Sequence, residues 1–254
     1  MICFPGQDLD AAQLSAYGAR FGTLEHNVAN MFYAPGHPEV MVLSNMRDEA
    51  GKPIGLHDAG QGWHTDMSYS REVSIANALH AKRVPLRDGR PLGDTQFLNM
   101  RAAYEDLPAE VTAKLEGRTA IHDFNKFWEL MRSRPGSPRA PLTEEQRRKK
   151  PPVSQPIFRV HPITGKRVLY CNPGYAIAIE GMEKAESDAM LKYLFRHQSQ
   201  PQYLYSHSWT PGDVLMWDNI ATTHNAMADY GPEEHRYILR VQIMATLDYA
   251  AFAA

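Results

Sequence analysis

Short strand-like segments bounded by turn residues recur along almost the whole chain. Apolar or alternating runs lie at positions 40–43, 74–82 and 176–179, and similar runs lie near both ends. Only residues 183–197 carry a long helical pattern, although shorter helical stretches occur. Because many short strands with few helices are typical of β-sandwiches and barrels rather than βαβ folds, we predict a mainly β protein. No repeat or linker divides the chain, so one domain over residues 1–254 is expected.

The chain begins abruptly. A strand-like segment at residues 2–4 follows directly after Met1 and ends at Pro5 and Gly6. Since domains seldom begin inside a core strand, we expect that the sequence is shortened at its N-terminus.

Charge and cysteine content narrow the class of partner. The formal net charge is -2, which does not favour nucleic acid or an acidic membrane surface as the partner. Cys3 and Cys171 are the only cysteines, which is typical of a reducing compartment. No apolar run reaches the ~20 residues that a membrane-spanning helix needs. We therefore predict a soluble cytoplasmic protein without a nucleic-acid or membrane partner; a homo-oligomer is compatible with these features.

A His-x-Asp motif provides a candidate metal site. His64 and Asp66 lie in a stretch, 61–69, that reads as a strand, where side chains two positions apart share a face. His224, much later in the chain, lies on a different predicted strand. Two imidazoles and a carboxylate form the facial triad of non-heme Fe(II) enzymes. The same ligand types bind zinc, so a zinc hydrolase remains an alternative, as does a non-catalytic jelly-roll binding or sensor protein.

Two arginines follow the last histidine. Arg236 and Arg240 are four positions apart in a predicted strand, 236–245, so they face the same way. A buried guanidinium is best matched by a carboxylate, so two inward-facing arginines beside a metal predict two anionic ligands, one of them a cosubstrate. The alternatives are an ion pair of Arg236 with Glu233 or Glu234, and an Arg240 that faces solvent.

Taken together, these motifs resemble one known family. The chain carries His64-Thr65-Asp66, Gly93-Asp94-Thr95, Trp217-Asp218-Asn219 before His224, and Arg236 with Arg240. It is similar to the taurine dioxygenase and 2,4-dichlorophenoxyacetate dioxygenase family over nearly its whole length. The resemblance implies a double-stranded β-helix (jelly roll) with flanking α-helices. It also implies a dioxygenase that uses Fe(II), 2-oxoglutarate and O2 and releases succinate and CO2.

The resemblance assigns roles to individual positions. His64, Asp66 and His224 would bind iron, and Arg236 would pair with the distal carboxylate of 2-oxoglutarate. Thr95 would assist that arginine, unless it is only a β-former. Arg240 would hold the acidic group of a small anionic organic substrate, such as a sulfonate, a sulfate ester or an aryloxyalkanoate.

The substrate contacts depart from the taurine pattern. The family position whose histidine binds the sulfonate of taurine corresponds to Asn27 here, with His26 beside it. The position of a taurine-contacting asparagine corresponds to Gly60. Phe124 is a further candidate substrate contact, with plain core packing as its alternative. Residues 125–156 are rich in Arg, Lys and Pro, and we expect a long surface excursion or lid. Its basic run at 147–150 is either a solvated face or part of a lid over the substrate.

Overall fold

The computed structural model describes residues 1–26, 31–134 and 139–247, and these residues form a mainly β structure with several sheets. The strands of the described residues, numbered in chain order, are Ile2–Phe4 (β1), Tyr33–Ala34 (β2), His37–Ser44 (β3), Ser74–Arg83 (β4), Leu86–Arg87 (β5), Arg90–Pro91 (β6), Thr95–Asn99 (β7), Thr119–His122 (β8), Val153–Pro156 (β9), Phe158–Val160 (β10), Arg167–Leu169 (β11), Ala176–Ile179 (β12), Leu204–His207 (β13), Val214–Asp218 (β14), Thr222–Ala226 (β15) and Tyr237–Met244 (β16).

Helices flank the sheets. The α-helices of the described residues are Ala11–Gly18 (α1), Met100–Glu105 (α2), Ala109–Leu115 (α3), Phe124–Arg132 (α4), Glu144–Lys149 (α5) and Lys184–Gln198 (α6), with a 3-10 turn at Pro201–Tyr203. Asp10 forms a capping box with Gln13 at the start of α1. Within the described residues, none of the helices is both long enough and apolar enough to span a membrane.

A six-stranded antiparallel sheet is the largest layer, with the strand order β1-β14-β4-β16-β3-β2. β4 lies between β14 and β16, and its residues from Ser74 to Ala81 are all buried. The alternating pattern over residues 74–82 predicts this strand, although the strand is enclosed on both faces. β16 places Arg240 opposite Leu79 in β4 and Met41 in β3.

A second sheet, with the order β13-β7-β15, carries the other half of the candidate site. In its registers, Thr95 of β7 lies opposite His207 of β13 and Ala226 of β15. Phe97 of β7 packs in one buried cluster with Leu79 of β4 and Trp217 of β14. This cluster joins the two sheets. A larger buried cluster packs α6 beside α2 and β11 at one side of the sheets.

The strand predicted over residues 61–69 is wrong. Only His64 takes part in β pairing there, as an isolated bridge to His224, and a turn follows. Gly60 and Gly62 both have positive φ, and Met67 has a φ of 58°, so the chain bends too sharply to remain extended. Arg236 likewise lies one residue before β16 instead of inside it.

The segment predicted as a long surface excursion, residues 125–156, contains regular structure. It begins inside α4, whose N-cap Asp123 accepts a hydrogen bond from the backbone N–H of Asn125. It continues through α5 and ends in β9. Residues 135–138 lie outside the described residues.

Candidate metal centre and active site

His64 and His224 are held together by their main chains. The N–H of His64 donates to the carbonyl of His224 at 3.0 Å, and the N–H of His224 donates to the carbonyl of His64 at 2.8 Å. Their ring centroids lie 4.2 Å apart. Gly174 packs directly behind them, because a Cβ at that position would lie 2.8 Å from the Cβ of His64. The two imidazoles are therefore positioned by backbone pairing and close packing.

Asp66 reaches both imidazoles from the turn that follows His64. Its Oδ1 lies 3.5 Å from Nε2 of His64, and its Oδ2 lies 3.5 Å from Nε2 of His224. Asn219 holds the turn by donating from Nδ2 to the carbonyls of Asp66, at 2.9 Å, and Ser74, at 3.0 Å. The sequence thus predicts the convergence of these side chains, but the turn produces it rather than a strand.

The three side chains fit a divalent cation. All are buried, and one ligand atom from each lies within 4.8 Å of the others. Nδ1 of His64 lies 2.7 Å from the carbonyl of Gly62, which orients its Nε2 toward Asp66 and leaves it available for a cation. Oδ2 of Asp66 is buried without a hydrogen-bond partner. A buried unsatisfied carboxylate oxygen is costly, and a metal ion would satisfy it.

Burial and charge set suitable protonation states. Burial, reinforced by His64, lowers the pKa of His224 to about 4, so its imidazole is neutral at neutral pH. Burial would raise the pKa of Asp66, but Arg240 and the two imidazoles outweigh it and hold that pKa well below its usual range. A neutral imidazole and an ionised carboxylate are the forms that bind metal.

Arg236 lies beside this centre. Both Arg236 and Thr95 are buried, and they line a cavity of about 30 Å³ together with Asp66 and His224. No carboxylate in the described part of the chain lies within ion-pair distance of Arg236; the predicted alternative partner Glu234 pairs with Arg87 at 2.6 Å. A buried guanidinium of this kind requires an anionic ligand.

Gly93 lets the chain approach Arg236 closely. It has a φ of 76°, and a Cβ there would lie 3.0 Å from the ring of Tyr230 and 3.5 Å from Nε of Arg236. The Arg236 guanidinium lies 5.9 Å from the centroid of the same tyrosine ring. The Gly-Asp-Thr motif therefore supplies both the space beside the guanidinium and the hydroxyl next to it.

Trp209 is a site residue that the sequence analysis missed. Its indole Nε1 donates to Oγ1 of Thr95 at 3.0 Å. Because a hydroxyl that accepts one hydrogen bond still carries its own proton, Thr95 remains able to donate to a ligand. Trp209 packs edge-on against His207, whose Nε2 lies 3.4 Å from Asp213. A Trp three residues before a Gly-Asp turn was the available signal.

A larger cavity, of about 260 Å³, opens from His64 and Asp66. Its apolar walls are largely aromatic rings, contributed by Tyr69, Phe124, Phe127, Trp128 and Tyr175. The ring of Phe127 lies 5.0 Å from that of His64. The expected substrate contact Phe124 therefore lines a cavity next to the centre.

The other expected substrate contacts differ in their placement. Arg240 lines both cavities, and its Nη1 lies 3.5 Å from Oδ2 of Asp66. His26 is exposed and is absent from the lining of either cavity, so the structure does not support it as a contact. Asn27 lies outside the described residues. Glu25, which the sequence analysis did not select, and Lys150, the last residue of the basic run at 147–150, line the larger cavity.

Comparison with models of protein families shows to which family this chain belongs. The model of the family described as taurine catabolism dioxygenase TauD, TfdA family matches residues 1–242. The chain belongs to this family. The predicted resemblance is thereby confirmed over almost the whole chain.

Individual members of the TauD, TfdA family show how far the likeness extends. The alpha-ketoglutarate-dependent 2,4-dichlorophenoxyacetate dioxygenase of Burkholderia sp. (strain RASC) is 33% identical over 234 residues, which are 88% of this chain and 75% of that protein. Pentalenolactone F synthase of Streptomyces avermitilis is 32% identical over 252 residues, or 95% of this chain and 80% of that protein. The crystal structure of a taurine dioxygenase from Burkholderia xenovorans superposes with a TM-score of 0.74 at 28% identity, covering 95% of this chain and 74% of that one.

Proposed function

We propose that this protein hydroxylates a small anionic organic substrate of the sulfonate, sulfate ester or aryloxyalkanoate type. The reaction class is that of its family: a non-heme iron dioxygenase that consumes 2-oxoglutarate and O2 and releases succinate and CO2. One observation carries the proposal. The buried triad of His64, Asp66 and His224 lies beside a buried arginine, Arg236, that has no carboxylate partner among the described residues.

Each buried group has a role in this proposal. Nε2 of His64, a carboxylate oxygen of Asp66 and Nε2 of His224 would hold ferrous iron, which supplies the activation of O2. The guanidinium of Arg236 would bind a carboxylate of 2-oxoglutarate in a charge-assisted pair. The hydroxyl of Thr95, oriented by Trp209, would donate to the same carboxylate. This division explains why an arginine and a threonine are buried next to a metal site.

The larger cavity would position the substrate. Its aromatic walls exclude water and pack against an apolar body, while its opening beside His64 and Asp66 brings a C–H bond close to the metal. Arg240, the contact that the resemblance implies for the acidic group, lies 3.5 Å from Oδ2 of Asp66, so it shares its charge with that carboxylate. The 2,4-dichlorophenoxyacetate enzyme among the relatives acts on an aryloxy acid, which agrees with aromatic walls.

We also infer that the two sheets form the double-stranded β-helix expected from the resemblance, as a single domain over residues 1–254. The buried cluster that joins Phe97 of β7 to Leu79 of β4 supports two facing sheets. The His64–His224 bridge then ties the segment before β4 to β15 of the second sheet.

Anaerobic titration of the metal-free protein with Fe(II) and 2-oxoglutarate tests the proposal. A visible metal-to-ligand charge-transfer band is expected only when both are present. His224→Ala should abolish the band, whereas His37→Ala, which alters a histidine paired with Glu39 elsewhere, should leave it intact. A folded wild-type protein that gives no band would contradict the proposal.

A further inference from the structure

The cationic side chains that line the larger cavity differ in whether they face a carboxylate of the protein. Arg139 donates from Nε and Nη2 to both carboxylate oxygens of Asp58, at 2.9 and 2.6 Å. Nη1 of Arg240 lies 3.5 Å from Oδ2 of Asp66. Each of these two cations faces a carboxylate of the protein, so neither has its full charge available for a ligand.

Lys150 is different. Its ammonium nitrogen lies 4.6 Å from the ring centroid of Phe124 and 4.8 Å from that of Tyr69. No carboxylate of the described residues lies within 4.0 Å of it. Lys149, next in the chain, is exposed and pairs with Glu145 at 2.8 Å. The last residue of the basic run therefore points away from the solvated face on which its neighbours lie.

This arrangement leaves a partly desolvated charge that forms no ion pair with any carboxylate of the described residues. Burial lowers the pKa of Lys150, and the nearby Glu25 opposes that shift. Burial also raises the pKa of Glu25, so its own negative charge is disfavoured. The rings of Phe124 and Tyr69 attract a cation but do not neutralise it. A charged ligand that enters the cavity is the natural counterion.

Resting on the proposed function, we propose that Lys150 forms an anion-binding subsite that takes the carboxylate or sulfonate of an aryl substrate. Phe124 and Tyr69 contact Lys150 and also line the cavity. An aryl ring would therefore stack on these two side chains while its acidic group reaches Nζ of Lys150. Arg240 then serves mainly to hold Asp66.

The test uses the full chain with Fe(II) and 2-oxoglutarate under anaerobic conditions. Phenoxyacetate and its neutral isostere phenoxyacetamide are titrated separately, and binding is followed by calorimetry and by perturbation of the charge-transfer band. The wild-type protein should prefer phenoxyacetate by about tenfold or more, as expected for a desolvated charge pair. Lys150→Gln should abolish that preference without changing the affinity for 2-oxoglutarate. Lys150→Arg should retain it, and the matched control Lys149→Gln should leave it unchanged.

Two results would overturn the subsite. One is a wild-type protein with no preference for the anionic probe. The other is a preference that survives in Lys150→Gln but is lost in Arg240→Gln, which would return the role to Arg240. Failure of the proposed function itself is distinct, since the charge-transfer band would then be absent before any probe is added.

Discussion

His64 and His224 hydrogen-bond to each other through their main chains in both directions, so the two proposed iron ligands form one structural unit. Backbone pairing fixes the Cα–Cβ directions of both residues before any metal arrives. The site is consequently preorganised for a cation, and residues that support this pair should control metal affinity without touching the metal.

Gly174→Ala tests the packing behind the pair. The added methyl group would lie 2.8 Å from Cβ of His64 and 3.0 Å from the carbonyl oxygen of Trp63, so the imidazole must shift. We expect an Fe(II) affinity lower by about 10- to 100-fold, as for other changes to groups that orient ligands. Gly231→Ala is the matched control, since its nearest neighbour would lie 3.7 Å away. Equal Fe(II) affinities in the two variants would contradict this role.

Asn219→Ala tests whether the hydrogen bonds from Asn219 keep Asp66 in position. The variant loses two donated hydrogen bonds and leaves the carbonyls of Asp66 and Ser74 buried without them. The free energy of unfolding should fall by about 1–3 kcal/mol or more, and Fe(II) binding should weaken. Asn77→Ala, which removes only the bond to Oδ1 of Asn219, should lower stability with a smaller effect on Fe(II). Urea unfolding and anaerobic metal titration measure both quantities. Unaltered Fe(II) binding in Asn219→Ala would show that the turn keeps its conformation without Asn219.

Trp209→Phe tests the orientation of Thr95. The ring is kept, but the hydrogen bond to Oγ1 of Thr95 is lost, so the hydroxyl can rotate away from the cavity. We expect the Kd for 2-oxoglutarate to rise by roughly 2- to 10-fold, the range of one neutral hydrogen bond. Trp128→Phe loses an indole bond to Ala140 instead, and should leave the Kd for 2-oxoglutarate unchanged. The charge-transfer band reports the saturation curves, and identical curves for all three proteins would exclude this role of Trp209.

His122 should make stability depend on pH. Burial, assisted by Lys126 and Arg159, lowers the pKa of His122 to about 3. In the unfolded chain its pKa returns to about 6.5, so the unfolded state binds a proton below that pH while the folded state does not. Stability is therefore full above about pH 6.5 and falls as the pH decreases, by up to about 1.4 kcal/mol per unit.

Denaturant unfolding at about pH 7 and about pH 5 measures this contribution. The loss of stability between the two conditions should be smaller in His122→Phe than in the wild-type protein. A loss of the same size would mean that other groups account for the acid sensitivity. Metal-free protein is used throughout, so that iron release does not contribute.

Individual strands and helices could be predicted where the spacing of apolar residues follows the period of the element. The pattern over residues 74–82 predicts the buried strand β4, because regular burial leaves a pattern in the residues themselves. α4 is not predicted, because the Arg and Pro residues that follow it are typical of a surface loop. Phe124, Phe127 and Met131, spaced as on one helix face, were the available signal.

The supporting residues of the site could not be predicted in this way. The role of Trp209 depends on Thr95, and that of Asn219 depends on Asp66, and both partners are distant in sequence. Lys150 follows charged, exposed neighbours, and only the placement of Phe124 and Tyr69 distinguishes it from them. The metal-ligand assignments and the role of Arg236 remain predictions that the titrations address.

The long separation in sequence between His64 and His224 has a consequence for folding. Their pairing closes a loop that contains most of the chain, and such contacts carry a large entropic cost that is repaid only when the sheets have assembled. Iron therefore cannot nucleate the fold by binding a local fragment. We expect added Fe(II) to leave the refolding rate unchanged and to slow unfolding, because the ion binds only the native arrangement. The metal would therefore contribute kinetic stability to the folded protein without taking part in its folding.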